Sequence, residues 1–134
     1  MSDSKNSPHV DILRSPLGRA RGLGSARAGS AHWWAQRLTA VALVPLTLWF
    51  IFSVLRLAGA SHGEVIEWLG HPVQVALMLC LIIATFHHLQ LGLQTVIEDY
   101  VHEDGVKLAS VLLMKAACVV LALASIVSVL RLGL

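Results

Sequence analysis

Three runs of apolar sequence, about 34–57, 72–97 and 106–132, dominate this chain. Each reaches the roughly 20 residues that a helix needs to cross the hydrocarbon core of a membrane. Of the 134 residues, they leave only a polar amino-terminal arm, about 1–31, and two short loops. The chain is 56% hydrophobic and 13% charged, with a mean hydropathy of +0.71, which is too apolar for a small soluble domain. The expected fold is all-α: an integral membrane bundle of three antiparallel transmembrane helices over 32–134. These residues leave no room for a soluble catalytic domain, so any soluble chemistry is expected from another polypeptide.

Charge sets the orientation. In the first 37 residues Lys5, Arg14, Arg19, Arg21, Arg27 and Arg37 stand against only Asp3 and Asp11, so the positive-inside rule places the arm in the cytoplasm or matrix. Three spans then carry the carboxyl terminus to the periplasm. The first loop holds Glu64 and Glu67 and no Lys or Arg, consistent with the outside. In the second, Glu98, Asp99, Glu103 and Asp104 outweigh Lys107, but acidic residues count little in that rule and the arm decides. The arm is Arg- and Ser-rich, yet it has two acidic residues and no apolar core with a cleavage site, which makes it a poor transit peptide. A bacterial inner membrane is the expected location. Cys80 and Cys118 fall inside spans without a paired spacing and read as small core residues.

The first span opens on His32-Trp33-Trp34, with indoles suited to the headgroup boundary, and Pro45 is expected to bend it against a packing neighbour. The second begins at Pro72, well placed as a first helical residue. The third follows Gly105 and ends near Arg131.

Chemistry concentrates on the second span. Ala84, His88, Gly92, Thr95 and Asp99 recur at steps of three or four and share one helical face, which is small and polar where a lipid-facing stripe would be large and apolar. An imidazole is a good axial ligand for haem iron, and a glycine one turn away lets a porphyrin approach the backbone. The same face would also suit tight helix packing with His88 hydrogen-bonded to a neighbour. His87 points about 100° away from His88, so the two cannot serve one iron. With Gln94 and Glu98, His87 marks a second polar stripe, read as an interhelical hydrogen-bonding seam. Asp99 and Tyr100 end the span roughly 16 Å along the helix from His88. There a phenol could donate to a quinone carbonyl and a carboxylate could orient it or relay protons, or the pair could simply anchor the interface. Arg37, just inside the first span, either snorkels or meets an anionic group such as a haem propionate. Lys115, deeper in the third span, either snorkels or marks a function.

Together these residues resemble the small membrane-anchor subunit of succinate dehydrogenase, the hydrophobic D subunit that binds haem and quinone. The resemblance rests on the three-span layout and on a His, a Gly four residues later, and an Asp-Tyr pair at eleven and twelve, met by His88, Gly92, Asp99 and Tyr100. The family's Arg-x-Thr-Ala opening of the first helix is similar to Arg37-Leu38-Thr39-Ala40. The resemblance implies that His88, not His87, ligates a haem b shared with a histidine of a companion hydrophobic anchor subunit. It implies that Tyr100 and Asp99 help bind ubiquinone near the iron-sulfur subunit, and that Arg37 serves the propionates or the quinone. A flavoprotein subunit would oxidise succinate, and this chain alone would not be catalytic. The long basic arm and the Glu103-Asp104 loop depart from the commoner bacterial pattern. The competing reading is a non-redox structural scaffold or accessory subunit, in which His88 only packs and Tyr100 only anchors.

Overall fold

The computed structural model describes residues 28–133, together with Leu17 and Ala20. Apart from those two and its last four residues, the expected arm lies outside the described residues. Among the described residues four helices follow in order: α1 (Ala28–Leu57), α2 (His62–Leu69), α3 (Pro72–Tyr100) and α4 (Asp104–Gly133). Three of them, α1, α3 and α4, are long and apolar enough to cross a membrane, and there is no strand among the described residues. Each extends a few residues past its apolar run, because a helix closes its backbone hydrogen bonds internally and need not stop where the lipid does.

The middle helix organises the molecule. α3 packs antiparallel against α1 on one side and α4 on the other, whereas α1 and α4 hardly touch. Pro72 opens α3 at its first turn, where its missing N–H would have had no partner. The carboxyl-terminal end of α4 returns to the start of α3: a side-chain carbon on Gly133 would lie only 2.6 Å from Val75 Cγ2, so the close approach depends on glycine. Val75, Leu81 and Leu91 of α3 and Cys118 of α4 are buried along these seams. Most other large apolar side chains point outward, among them Phe52, Leu113 and Val120, as they would when the solvent is lipid. The chain is a multi-pass membrane protein.

Two local expectations change. The first loop is not irregular: Ser61 caps α2 with a reciprocal box, its Oγ accepting from the Glu64 N–H while the Glu64 carboxylate accepts from the Ser61 N–H at 2.6 Å. Leu69 is buried beneath α2, and Trp68 stacks on Trp49 of α1 with centroids 6.0 Å apart. Cys80 is exposed rather than a core residue, whereas Cys118 is buried. α1 stays continuous through Pro45, whose ring faces outward.

Candidate functional site

The small, polar face of α3 is turned toward the amino-terminal half of α1. Where the two helices meet, the structure opens a groove of about 580 Å³ lined by His32, Gln36, Arg37, His88, Gly92 and Thr95, among others. On α1 the groove follows residues four apart, His32, Gln36 and Ala40, with Trp33 and Arg37 on the neighbouring row. On α3 it follows His88, Gly92, Thr95 and Val96. The helices run in opposite directions, so the start of α1 lies along the end of α3.

At its floor the imidazole of His88 is held from α1. Its Nδ1 lies 3.0 Å from Thr39 Oγ1, and that hydroxyl is also 2.8 Å from the Ala35 carbonyl and 3.1 Å from the Gln36 carbonyl one turn earlier. Above His88 the wall is Gly92. A side-chain carbon there would meet Gln36 Nε2 at 3.5 Å, ordinary van der Waals contact, so the packing of α1 on α3 does not itself demand glycine. At the mouth, the Arg37 guanidinium lies over the Trp33 ring, 5.0 Å from its centroid, and both side chains are exposed. Trp33 and Trp34 meet edge to face with centroids 5.1 Å apart.

Two polar atoms along the groove stand buried and unpaired: His32 Nε2 and Gln36 Oε1. Burying such a group without a partner costs about 1–3 kcal/mol, so each marks a place where a bound molecule or ordered water would be stabilising. Among the described residues no three His, Cys, Asp or Glu side chains converge on one point. Two imidazoles, His32 and His88, the open space over Gly92, the apolar Trp33 and Val96 beside it and the Arg37 guanidinium suit an iron carried in a macrocycle with anionic edge groups.

The structure thus brings His88, Gly92 and Arg37 together, with Thr95 of the expected face. Asp99 and Tyr100 do not line the groove. They lie one turn beyond Val96 at the end of α3, where Asp99 is exposed and Tyr100 is 79% exposed. Ala84 belongs to a separate, mainly apolar recess with Leu38, Thr39, Ala42, Leu46 and Cys80, and His87 opens onto that recess rather than onto the groove. Among the described residues no hydrogen bond joins His87, Gln94 or Glu98 to another helix. Gln94 Nε2 instead donates to Glu98 Oε1 at 2.7 Å within α3, an exposed i, i+4 pair. Lys115 is half-buried midway along α4, away from both cavities. The spacing of His32, Gln36 and Ala40 was legible as one face of the first span; nothing in the sequence pairs Thr39 with His88, because the register between two helices is a tertiary fact.

Comparison with known proteins decides the family. A model described as the succinate dehydrogenase/fumarate reductase transmembrane subunit matches residues 11–122. The chain belongs to that family. Among curated relatives of this anchor, the succinate dehydrogenase hydrophobic membrane anchor subunit of Rickettsia bellii is 32% identical over 117 residues, 87% of this chain and 94% of its own. The subunit of the same name from Paracoccus denitrificans is 33% identical over 98 residues, 73% of this chain and 75% of its own. That of Rickettsia conorii is 27% identical over 117 residues, again 87% of this chain. Membership in the family gives the anchor a role within the succinate dehydrogenase complex and partners in that complex.

Proposed function

We propose that this chain anchors the flavoprotein and iron-sulfur subunits of succinate:quinone oxidoreductase to a bacterial inner membrane, shares a haem b with a companion hydrophobic subunit, and forms part of the ubiquinone site. The observation that carries the reading is the groove itself. It places one imidazole at the floor of a slot whose own packing leaves room over Gly92, with unpaired polar atoms along its wall and a guanidinium at its mouth.

In this reading His88 would hold the iron through a ring nitrogen, with a histidine of the companion subunit as the other ligand. Gly92 lets the macrocycle lie against the backbone of α3. Arg37, steadied by Trp33, faces the propionates with a planar, permanently charged fork. Bound haem supplies a one-electron carrier within the membrane. Tyr100, at the cytoplasmic end of α3, donates its phenolic hydrogen bond to a quinone carbonyl, and the adjacent Asp99 orients that hydroxyl and passes protons from water. The exposure of both residues is what a site completed by another subunit requires. The amino terminus lies in the cytoplasm, where the arm's basic residues meet the iron-sulfur subunit or anionic lipid, and the carboxyl terminus lies in the periplasm.

The test is a reduced-minus-oxidised visible spectrum of the membrane complex purified through this chain, native against His88→Ala. A b-type signal lost or displaced in the variant, with the complex still assembled, is expected. An intact native complex without haem, or an unchanged spectrum in the variant, would withdraw the haem assignment and leave a scaffold.

A further inference from the structure

We infer that Thr39 is the positioning residue for His88: its hydroxyl accepts the Nδ1 proton and so fixes the tautomer that presents Nε2 as the free ligand nitrogen. This rests on the reading of His88 as an iron ligand and adds which nitrogen binds and what holds it.

Thr39 Oγ1 has three close polar neighbours, the Ala35 carbonyl at 2.8 Å, the Gln36 carbonyl at 3.1 Å and His88 Nδ1 at 3.0 Å. A hydroxyl has a single proton to give, and a carbonyl oxygen can only accept. If Thr39 donated to His88, its lone pairs would face two carbonyl oxygens at hydrogen-bonding distance, which is repulsive. The proton therefore goes back along α1 to the Ala35 carbonyl, shared with that of Gln36, and the oxygen is left to accept. Nδ1 then carries the hydrogen. A neutral imidazole has only one N–H, so Nε2 keeps its lone pair.

Such outer partners set ring orientation and raise the basicity of the ligating nitrogen, and losing one typically costs 10- to 100-fold in metal affinity. The arrangement also uses a helix-interior threonine to good effect. Its back-bond to the preceding turn ties down χ1, so the acceptor lone pair is aimed before any ligand arrives. Thr39 belongs to α1 and His88 to α3, so the hydroxyl couples ligand geometry to the packing of the two helices that form the groove.

The experiment uses the purified complex and compares native protein with Thr39→Val, Thr39→Ser and His88→Ala, reading haem content per complex, the ferric low-spin electron paramagnetic resonance signal and the haem midpoint potential. Thr39→Val keeps the shape and removes the acceptor. It is expected to shift the resonance signal, move the potential to more positive values and weaken haem retention by about 10- to 100-fold. Thr39→Ser, which keeps the hydroxyl, is expected to restore all three. Native signal and potential in Thr39→Val, with His88→Ala still losing the haem, would overturn the positioning role and leave His88 as ligand. Equal displacement in Thr39→Val and Thr39→Ser would overturn it too, since a packing defect and not the hydroxyl would then be responsible. Should Thr39→Val fail to assemble, the serine variant still decides: retained hydroxyl with a displaced signal refutes the role, and a native signal supports it. An unaltered haem in assembled His88→Ala would instead bring down the underlying ligand assignment.

Discussion

Gln36 Nε2 stands 3.5 Å from where a methyl group on Gly92 would sit, a distance at which neither helix has to move. The glycine is therefore not explained by the packing of α1 on α3, and what it leaves open is the wall of the groove beside His88. Gly92→Ala is expected to leave assembly of the complex and its thermal stability nearly unchanged, within about 0.5 kcal/mol, while lowering haem content and displacing its absorbance. Thermal unfolding and a haem assay on the same preparation check this; a large loss of stability with normal haem would return Gly92 to a packing role.

His88→Ala is expected to disturb haem binding far more than His87→Ala. His88 reaches the groove floor and is hydrogen-bonded from α1, whereas His87 opens onto the apolar recess among Leu38, Ala42 and Leu46. Difference spectra of the two variants, normalised to complex, make the comparison. Equal effects would remove the basis for choosing between them.

Tyr100→Phe keeps the ring and removes the hydroxyl, so the expected result is slower ubiquinone reduction by about tenfold, the worth of one hydrogen bond of roughly 1.4 kcal/mol to a substrate oxygen. Succinate oxidation by an artificial acceptor serves to normalise for the amount of complex. Unchanged quinone kinetics would leave Tyr100 as an interfacial anchor.

If Arg37 serves the propionates as proposed, Arg37→Gln is expected to lower haem content and increase its loss on dilution. Arg37→Lys should recover only part of the deficit, since a point charge replaces the fork. Native haem retention in both variants would make Arg37 a snorkelling residue held by Trp33.

The α2 cap carries a pH dependence that can be signed. Hydrogen bonds from the Ser61 backbone N–H and then its hydroxyl lower the Glu64 carboxyl below its ordinary value. A depressed folded pKa contributes stability that is fully present above the unfolded value and lost as pH falls through the folded one. Protection of the α2 amides, taken as exchange relative to the intrinsic rate at each pH, is therefore expected to fall on acidification below the usual glutamate range, and Ser61→Ala should lower it already at neutral pH. Exchange in Ser61→Ala equal to native would show that the box does not hold α2.

The long helices were legible because the length of an apolar run is nearly a structural statement in a membrane, and Pro72 marked a start with an established backbone reason. His88 and Gly92 were legible as one face by counting. The helix in the first loop was signalled by Ser61 and Glu64 three residues apart ahead of Val65, Ile66 and Leu69, but a short segment between two spans reads as a connector on length. Gln94 and Glu98 share a stripe whichever partner they choose, so periodicity could not tell a bond within α3 from one between helices. The same limit hid Thr39: its hydroxyl matters because α1 and α3 cross at that level, and no local pattern encodes a crossing.

His88 and Asp99 lie on one uninterrupted helix, so the spacing between the groove floor and the end of α3 is a matter of residue count and owes nothing to how loops or neighbours settle. Substitutions between them can be absorbed one at a time, but deleting a single residue would draw the two ends about 1.5 Å closer and swing one about 100° around the axis relative to the other. The segment behaves as a ruler with eleven divisions from His88 to Asp99, tolerant of relettering and intolerant of being recut.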